Sequence, residues 1–561
     1  MTFNLKTMKF LFKRKITRII SSLVVTGLFL SCSDELERSP LDRFASENFW
    51  VSETNTMLAL TAVYKGETAG TASAGFTDWW SYTATVLLEG ATDNSYDRRG
   101  DNSPVNRLTN GTMLASNTAE VRRMWDRTYE KIARSNFFLE NIELAPISDE
   151  TKARMTAEAR FVRAVQYYYL SQTYGAVPLI TRTLTLEESF EVVKSPKREI
   201  IQFVIDELTD ATNNLPRYND MPSGEFGRAS KQAALAYLGR TQMADRRFGE
   251  AAATYKTVID FGDNLIDPDY VTLFNGKNEQ SKEIIFTMPY IEDLFGNGLQ
   301  QNAGPAIIGG WHIVNPLGSL VESYEFNDGT PFDFADPRYD PADLTKDRDP
   351  RLSYNVLVNG VEFGPGFKYI SHPDSVNSID RLTTNKQATR TGFGLAKFMD
   401  WDYKGDLRRA PADIPIVRYA EVLLTYLEAK LEAGDPIDQG LLDATINQVR
   451  GRASVNMPPV TETDPTLLRV ILRRERRNEL ALEGHRYWDL LRWDRAKDIL
   501  QGDFYGGPFP GAENLRKNGS IDDPHDRWYV TSKSFRPGID DRWPIPDSEI
   551  EINPNLGLDV D

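Results

Sequence analysis

The stretch SKQAALAYLGRTQMADRRFGEAAATYKTVIDFGD, residues 230–263, decides the fold. Leu238 and Gly239 stand together, Ala251 follows twelve residues after the glycine, and Tyr255 comes four residues later. Small side chains at Gly239 and Ala251 let two helices approach closely, and an aromatic ring at Tyr255 fills the wedge beside them. The stretch therefore predicts a helical hairpin. A lone hairpin and one member of a stacked series share this local pattern, so the neighbouring segments have to decide.

They favour a series. The spacing is that of a tetratricopeptide repeat. Upstream, FVRAVQYYYLSQTYG (161–175) puts Phe161, Ala164, Val165, Tyr168 and Gln172 on one helical face, and Gly175 ends it. Residues 124–142 repeat the logic with Trp125, Tyr129, Ile132, Asn136 and Leu139. The whole of 44–275 reads as helical. Residues 276–417 are dense in Gly, Pro, Asp and Asn, with short strands expected at EIIFTMPY and SYNVLVNG. Helical pattern returns over 418–500, and 501–561 is again irregular. The expected fold is mainly α: a tetratricopeptide-like scaffold with a large loop-rich, weakly β excursion, one domain overall. Loops held by a rigid scaffold are where binding residues concentrate.

The chain has 561 residues, net charge −16, 10 Trp, 23 Tyr and 28 Phe. The acidic balance argues against nucleic acid, which needs a basic footprint. Residues 1–18 carry six basic and no acidic residues, and the apolar run IISSLVVTGLFL (19–30) follows. This reads as a signal peptide over 1–31, too short to be a membrane span. Cys32, the single cysteine, comes directly after it and cannot form an intrachain disulfide. Its position predicts lipidation, with 32–43 as an exposed tether and a mature charge of −22.

Catalytic signatures are absent: there is no H-E-x-x-H, C-x-x-C, P-loop or G-x-S-x-G. Four scattered histidines offer no zinc spacing. The densest charge lies in ERRNELALEGHRYWDLLRW (475–493). Glu475 and Glu479 share a helix face about 5–6 Å apart, which suits a pair of glycosidase carboxylates. Yet Leu468, Ile471, Leu472 and Leu482 fall on the same face, as does Arg486 if the helix continues through Gly484. A carboxylate on an apolar stripe needs an arginine partner. The reading is a half-buried structural ion-pair network of Glu475, Glu479 and Arg486. No cofactor is expected, apart from a structural calcium ion that the aspartates of 333–349 would offer oxygen to, although their spacing fits no known loop.

Taken in order, the segments resemble the SusD/RagB family of Bacteroidota outer-membrane lipoproteins. The resemblance is carried by EARFVRAVQYYYLSQTYGAVPLI (158–180), FNGKNEQSKEIIF (274–286), LVESYEFNDGTPFD (320–333) and DRDPRL (347–352). It continues through GLAKFMD (394–400), DIPIVRYAEVLLTYLEAK (413–430), INQVRGRA (446–453), RRERRNELALEGHRYWDLLRW (473–493) and PIPDSEIEINPNL (544–556). It implies non-catalytic capture of a glycan, or less often a peptide, at the outer face of the outer membrane. It also implies a SusC-like TonB-dependent transporter as partner. A helical glycoside hydrolase is the alternative from a different class.

A sugar site needs aromatic platforms and planar polar side chains. Two loops offer both. Residues 92–107 carry Asn94, Tyr96, Asp97, Arg98 and Asn102, just after Trp79 and Trp80. Residues 290–316 carry Tyr290, Phe295, Gln300, Trp311, His312 and Asn315. The ligand-binding candidates are Trp311, His312, Asn315, Tyr96, Asp97, Arg98, Asn94, Asn102, Tyr290 and Trp80. Trp125, Trp488 and Trp493 are expected in the core.

Overall fold

In a computed structural model, residues 49–560 are described apart from 67–74, 118 and 383–386. The expected signal peptide, Cys32 and the 32–43 tether lie outside the described residues. Two compact units are present. The smaller comprises residues up to 58 together with 141–147, and the larger 59–140 together with 148–561.

Helices dominate the larger unit. The long ones are α1 (Ala119–Asn141), α2 (Asp149–Thr173), α3 (Lys197–Asn214), α4 (Lys231–Ala244), α5 (Phe248–Phe261), α6 (Tyr419–Glu432), α7 (Pro465–Glu479) and α8 (His485–Arg492). Helix α2 packs on α3, α3 on α4, α4 on α5, α5 on α6 and α6 on α7. Helix α6 follows α5 in space although residues 262–418 intervene, so the loop-rich segment is an excursion from one continuous stack. Among the described residues no helix is long and apolar enough to cross a membrane.

The opening stretch explains its own hairpin. Ser230 caps α4 by accepting from the Ala233 amide, and Gly262, at φ 64°, closes α5 in the left-handed region. A methyl group on Gly239 would fall 2.5 Å from the Tyr255 ring, so the glycine is the space that the ring occupies. Tyr255 and Ala251 are fully enclosed.

The strands form two-stranded sheets among the described residues. Strand β1 (Ser95–Asp97) pairs antiparallel with β3 (Val314–Pro316), with Tyr96 opposite Asn315. Strand β2 (Ile284–Met288) pairs with β4 (Ile414–Arg418), which leads directly into α6. The tail holds a hairpin where an irregular segment was expected: β5 (Gln501–Pro508) with β6 (Arg527–Ser534). Its two strands are separated by a loop rich in turn formers, which masks the alternation in the sequence.

In the acidic run 333–349, one oxygen on each of four aspartates is held by the local backbone. Asp333, Asp336, Asp340 and Asp343 each accept from the amide two residues on. Among the described residues no group of three or more His, Cys, Asp or Glu is placed to hold a metal ion.

Candidate functional site

The most charged region of the molecule is enclosed. Glu475, on α7, accepts from Arg351 at 2.6 Å and from Arg450 at 2.7 Å. Glu479, one turn on, accepts from Arg351 at 3.0 Å, Arg418 at 3.1 Å and Arg452 at 2.9 Å. Arg418 and Arg452 also bind Glu283, which stands immediately before β2. The cluster thus ties α7, β4 and the excursion together. Burial alone would raise the Glu475 carboxyl, but Arg351 and Arg450 more than reverse this and hold it below the ordinary range. A glycosidase acid needs the opposite shift and an open cleft.

Arg486 does not join this network, contrary to expectation. Helix α7 ends at Glu479, and Gly484, at φ 80°, starts α8 on a new axis. A side chain on Gly484 would also meet the Thr85 backbone at 2.9 Å. Arg486 instead binds Asp93 at 2.8 Å, beside Arg477 at 3.0 Å from the same carboxylate.

Trp80 is a core residue and presents no platform to a ligand. It is 1% exposed, its Nε1 donates to the Tyr237 hydroxyl at 2.9 Å, and its ring stacks on Phe161. Trp79 is equally enclosed, stacked on Tyr169 with ring centroids 4.5 Å apart. Trp125 is buried, whereas Trp488 and Trp493 are half-buried.

The two candidate loops meet, because β1 and β3 are their centres. Pairing them consumes most of the polar side chains that had suggested a sugar site. Asn94 is fully buried, donating to Glu89 and accepting from Arg477. Tyr96 lies in an apolar cluster with Leu317 and Leu490, and its hydroxyl donates to Asp101 at 2.9 Å. Asp97 accepts from the amide and the guanidinium of Arg99. Asn315 is buried, donating to the His312 carbonyl and accepting from the Arg390 amide. His312 is enclosed between the Gln387 carbonyl and the Tyr369 hydroxyl, and burial pushes its imidazole down to about 4. Tyr290 is 6% exposed and stacks on Phe295, and Gln300 donates to the Phe398 carbonyl. These side chains build the ladder and the core beneath it.

Trp311 and Asn102 keep an outward face, and Arg98, enclosed over most of its surface, keeps its two terminal nitrogens open to solvent. Trp311 is half-buried, held through its amide by the Gln301 carbonyl. Asn102 is exposed, accepting from Arg107. Arg98 continues β1, its amide bonded to the Ile313 carbonyl. Residues that sequence reading missed complete this rim. Arg390 donates to the Arg98 carbonyl at 3.3 Å across a separation of 292 residues. Arg516 lies over the Tyr529 ring at 5.2 Å, and Tyr529 stands edge-on to Tyr505 on the β5–β6 hairpin. The hairpin is fixed to the β1 loop through Asp101, which accepts from Tyr96 and from Thr531. No local signal marks these residues, since only the tertiary fold assembles them.

Two family profiles match the chain. One, described as the SusD family, covers residues 282–557. The other, described as starch-binding associating with outer membrane, covers residues 77–243. A solved SusD-like carbohydrate binding protein from Bacteroides fragilis is 45% identical, superposes with a TM-score of 0.88, and covers 91% of this chain and 99% of its own. The SusD-like protein P25 of Formosa agariphila is 24% identical over 97% of this chain and 98% of its own length. The starch-binding protein SusD of Bacteroides thetaiotaomicron is 24% identical over 64% of this chain and 68% of its own.

Proposed function

The chain belongs to the SusD family, and on that footing we propose that it is a non-catalytic surface receptor for a glycan. It passes its ligand to a SusC-like TonB-dependent outer-membrane transporter. The observation that carries this reading is the 45% identity, across 91% of the chain, to a SusD-like carbohydrate binding protein. The glycan contacts Trp311, Asn102 and Arg98, the candidates that keep an aromatic face or polar atoms open to solvent. Lipid on Cys32 holds the protein at the outer face of the outer membrane.

The locked state of Glu475 and Glu479 supports a binding role over hydrolysis, because neither carboxylate is available to a substrate. Affinity electrophoresis of the soluble chain beginning at Ser33, through gels carrying single polysaccharides, tests the glycan reading. Retardation by at least one polysaccharide is expected. Free migration in every gel, together with saturable binding of a peptide, would overturn it. Handover is tested by purifying the lipidated protein from outer membranes, where a TonB-dependent barrel is expected to accompany it in stoichiometric amount.

A further inference from the structure

Arg98 is treated differently from the other enclosed arginines. Arg351, Arg418, Arg450, Arg452 and Arg476 each bind a carboxylate. Arg348, which has none, donates to the Val321 and Tyr324 carbonyls. Arg98 is 9% exposed, yet its guanidinium makes no hydrogen bond or ion pair among the described residues, and its Nε is enclosed without a partner. Only Nε falls among the enclosed unpartnered atoms, so the two terminal nitrogens keep contact with solvent. Leaving a buried charge unpaired is costly.

The surroundings add positive charge. Arg390 lies alongside Arg98 and bonds its carbonyl. Arg516, which has no ion pair among the described residues, is close enough to repel Arg390, and its guanidinium lies over the Tyr529 ring. Nearby carboxylates are already engaged: Asp97 by Arg99, and Asp101 by Tyr96 and Thr531. His312 is neutral at ordinary pH. Burial, reinforced by Arg390 and only partly offset by Asp97, brings the Arg98 guanidinium down to about 10.

We propose that Arg98, with Arg390 and Arg516 beside it, binds an anionic group on the glycan, a uronate carboxylate or a sulfate ester. A planar guanidinium pairs with either oxyanion through two parallel bonds. The half-buried Trp311, close in sequence to the Ile313 carbonyl that holds Arg98, offers a ring for the sugar carrying the charge. This inference rests on the glycan-receptor reading and adds the ligand's chemical class to it.

The test is calorimetric titration of the soluble chain with three oligosaccharide series: oligouronates, sulfated oligosaccharides, and the uncharged counterparts of each. A charged series is expected to bind at least about tenfold more tightly than its uncharged counterpart, and to weaken as salt rises. Which charged series binds distinguishes carboxylate from sulfate. R98Q and the surface variant R516Q are expected to remove most of that preference and to leave unfolding temperatures nearly unchanged. Equal or tighter binding of the uncharged series overturns the proposal and leaves the receptor reading intact, as does full retention of the preference in both variants. Failure of every series to bind, with a polysaccharide still retarding the chain in gels, likewise overturns the proposal alone, whereas free migration in every gel with saturable peptide binding overturns both.

Discussion

At the scale of single residues, conspicuous charge and functional charge are different things here. Glu475 and Glu479 draw the eye, but Arg351, Arg418, Arg450 and Arg452 enclose them. Removing one partner from a buried pair costs about 3–5 kcal/mol. E475Q is expected near the lower end, about 3 kcal/mol, because Asp349 still holds Arg351 and Glu325 still holds Arg450. Denaturant unfolding reads this, and ligand affinity measured on the folded variant stays at the wild-type value. W311A is expected to show the reverse: affinity for the bound glycan about tenfold weaker, equivalent to about 1.4 kcal/mol, with an unchanged unfolding midpoint. Sequence could not separate Trp80 from Trp311. What buries Trp80 is Phe161, Phe286 and Tyr237, which arrive from remote parts of the chain.

At the scale of elements, the α4–α5 hairpin was legible because its rule is local. Gly239 and Tyr255 are sixteen positions apart and meet as their spacing requires. Replacing a mid-helix glycine by alanine ordinarily stabilises by about 0.5–1 kcal/mol. Here the added methyl lies 2.5 Å from the Tyr255 ring, and overpacking costs about 1–3 kcal/mol. G239A is therefore expected to destabilise, and the double variant G239A/Y255L to recover part of the loss. Stabilisation by G239A alone would show that the ring does not fill that gap. Other elements escaped sequence reading for the opposite reason. Strands β1 and β3 are three residues each, and their partners are more than two hundred positions apart. Arg486 shares the α7 face only if the helix continues through Gly484, and there the backbone turns into the left-handed region instead.

At the scale of the whole molecule, buried charge sets the response to acid. Burial alone would raise the Glu421 carboxyl, but Arg240 more than reverses this and holds it at about 2. Arg452 and Arg418 likewise hold Glu479 low against its burial, as Arg476 and Arg492 do for Asp489. Carboxylates depressed in the folded state contribute stability above their unfolded values, near about 4, and lose it as pH falls toward the folded values. His312 and His485, pushed by burial to about 4, lose stability between about 6.5 and 4. Glu89 and Asp413, raised by burial to about 7, and Asp380, raised to about 6, do the opposite, contributing at low pH and losing as pH rises through those values. The two groups offset each other from pH 7 to 5. The melting temperature is expected to hold over that range and to fall steeply below about pH 4; a steady decline starting at pH 7 would contradict this balance. The proposed receptor role rests on the same division of labour, a locked charged interior and a rim with atoms open to solvent. It is tested most directly by titrating the soluble chain with a polysaccharide that retards it and assaying reducing ends in the same samples. The account predicts saturable binding with no new reducing ends, and new ends that vanish in E475Q would contradict it.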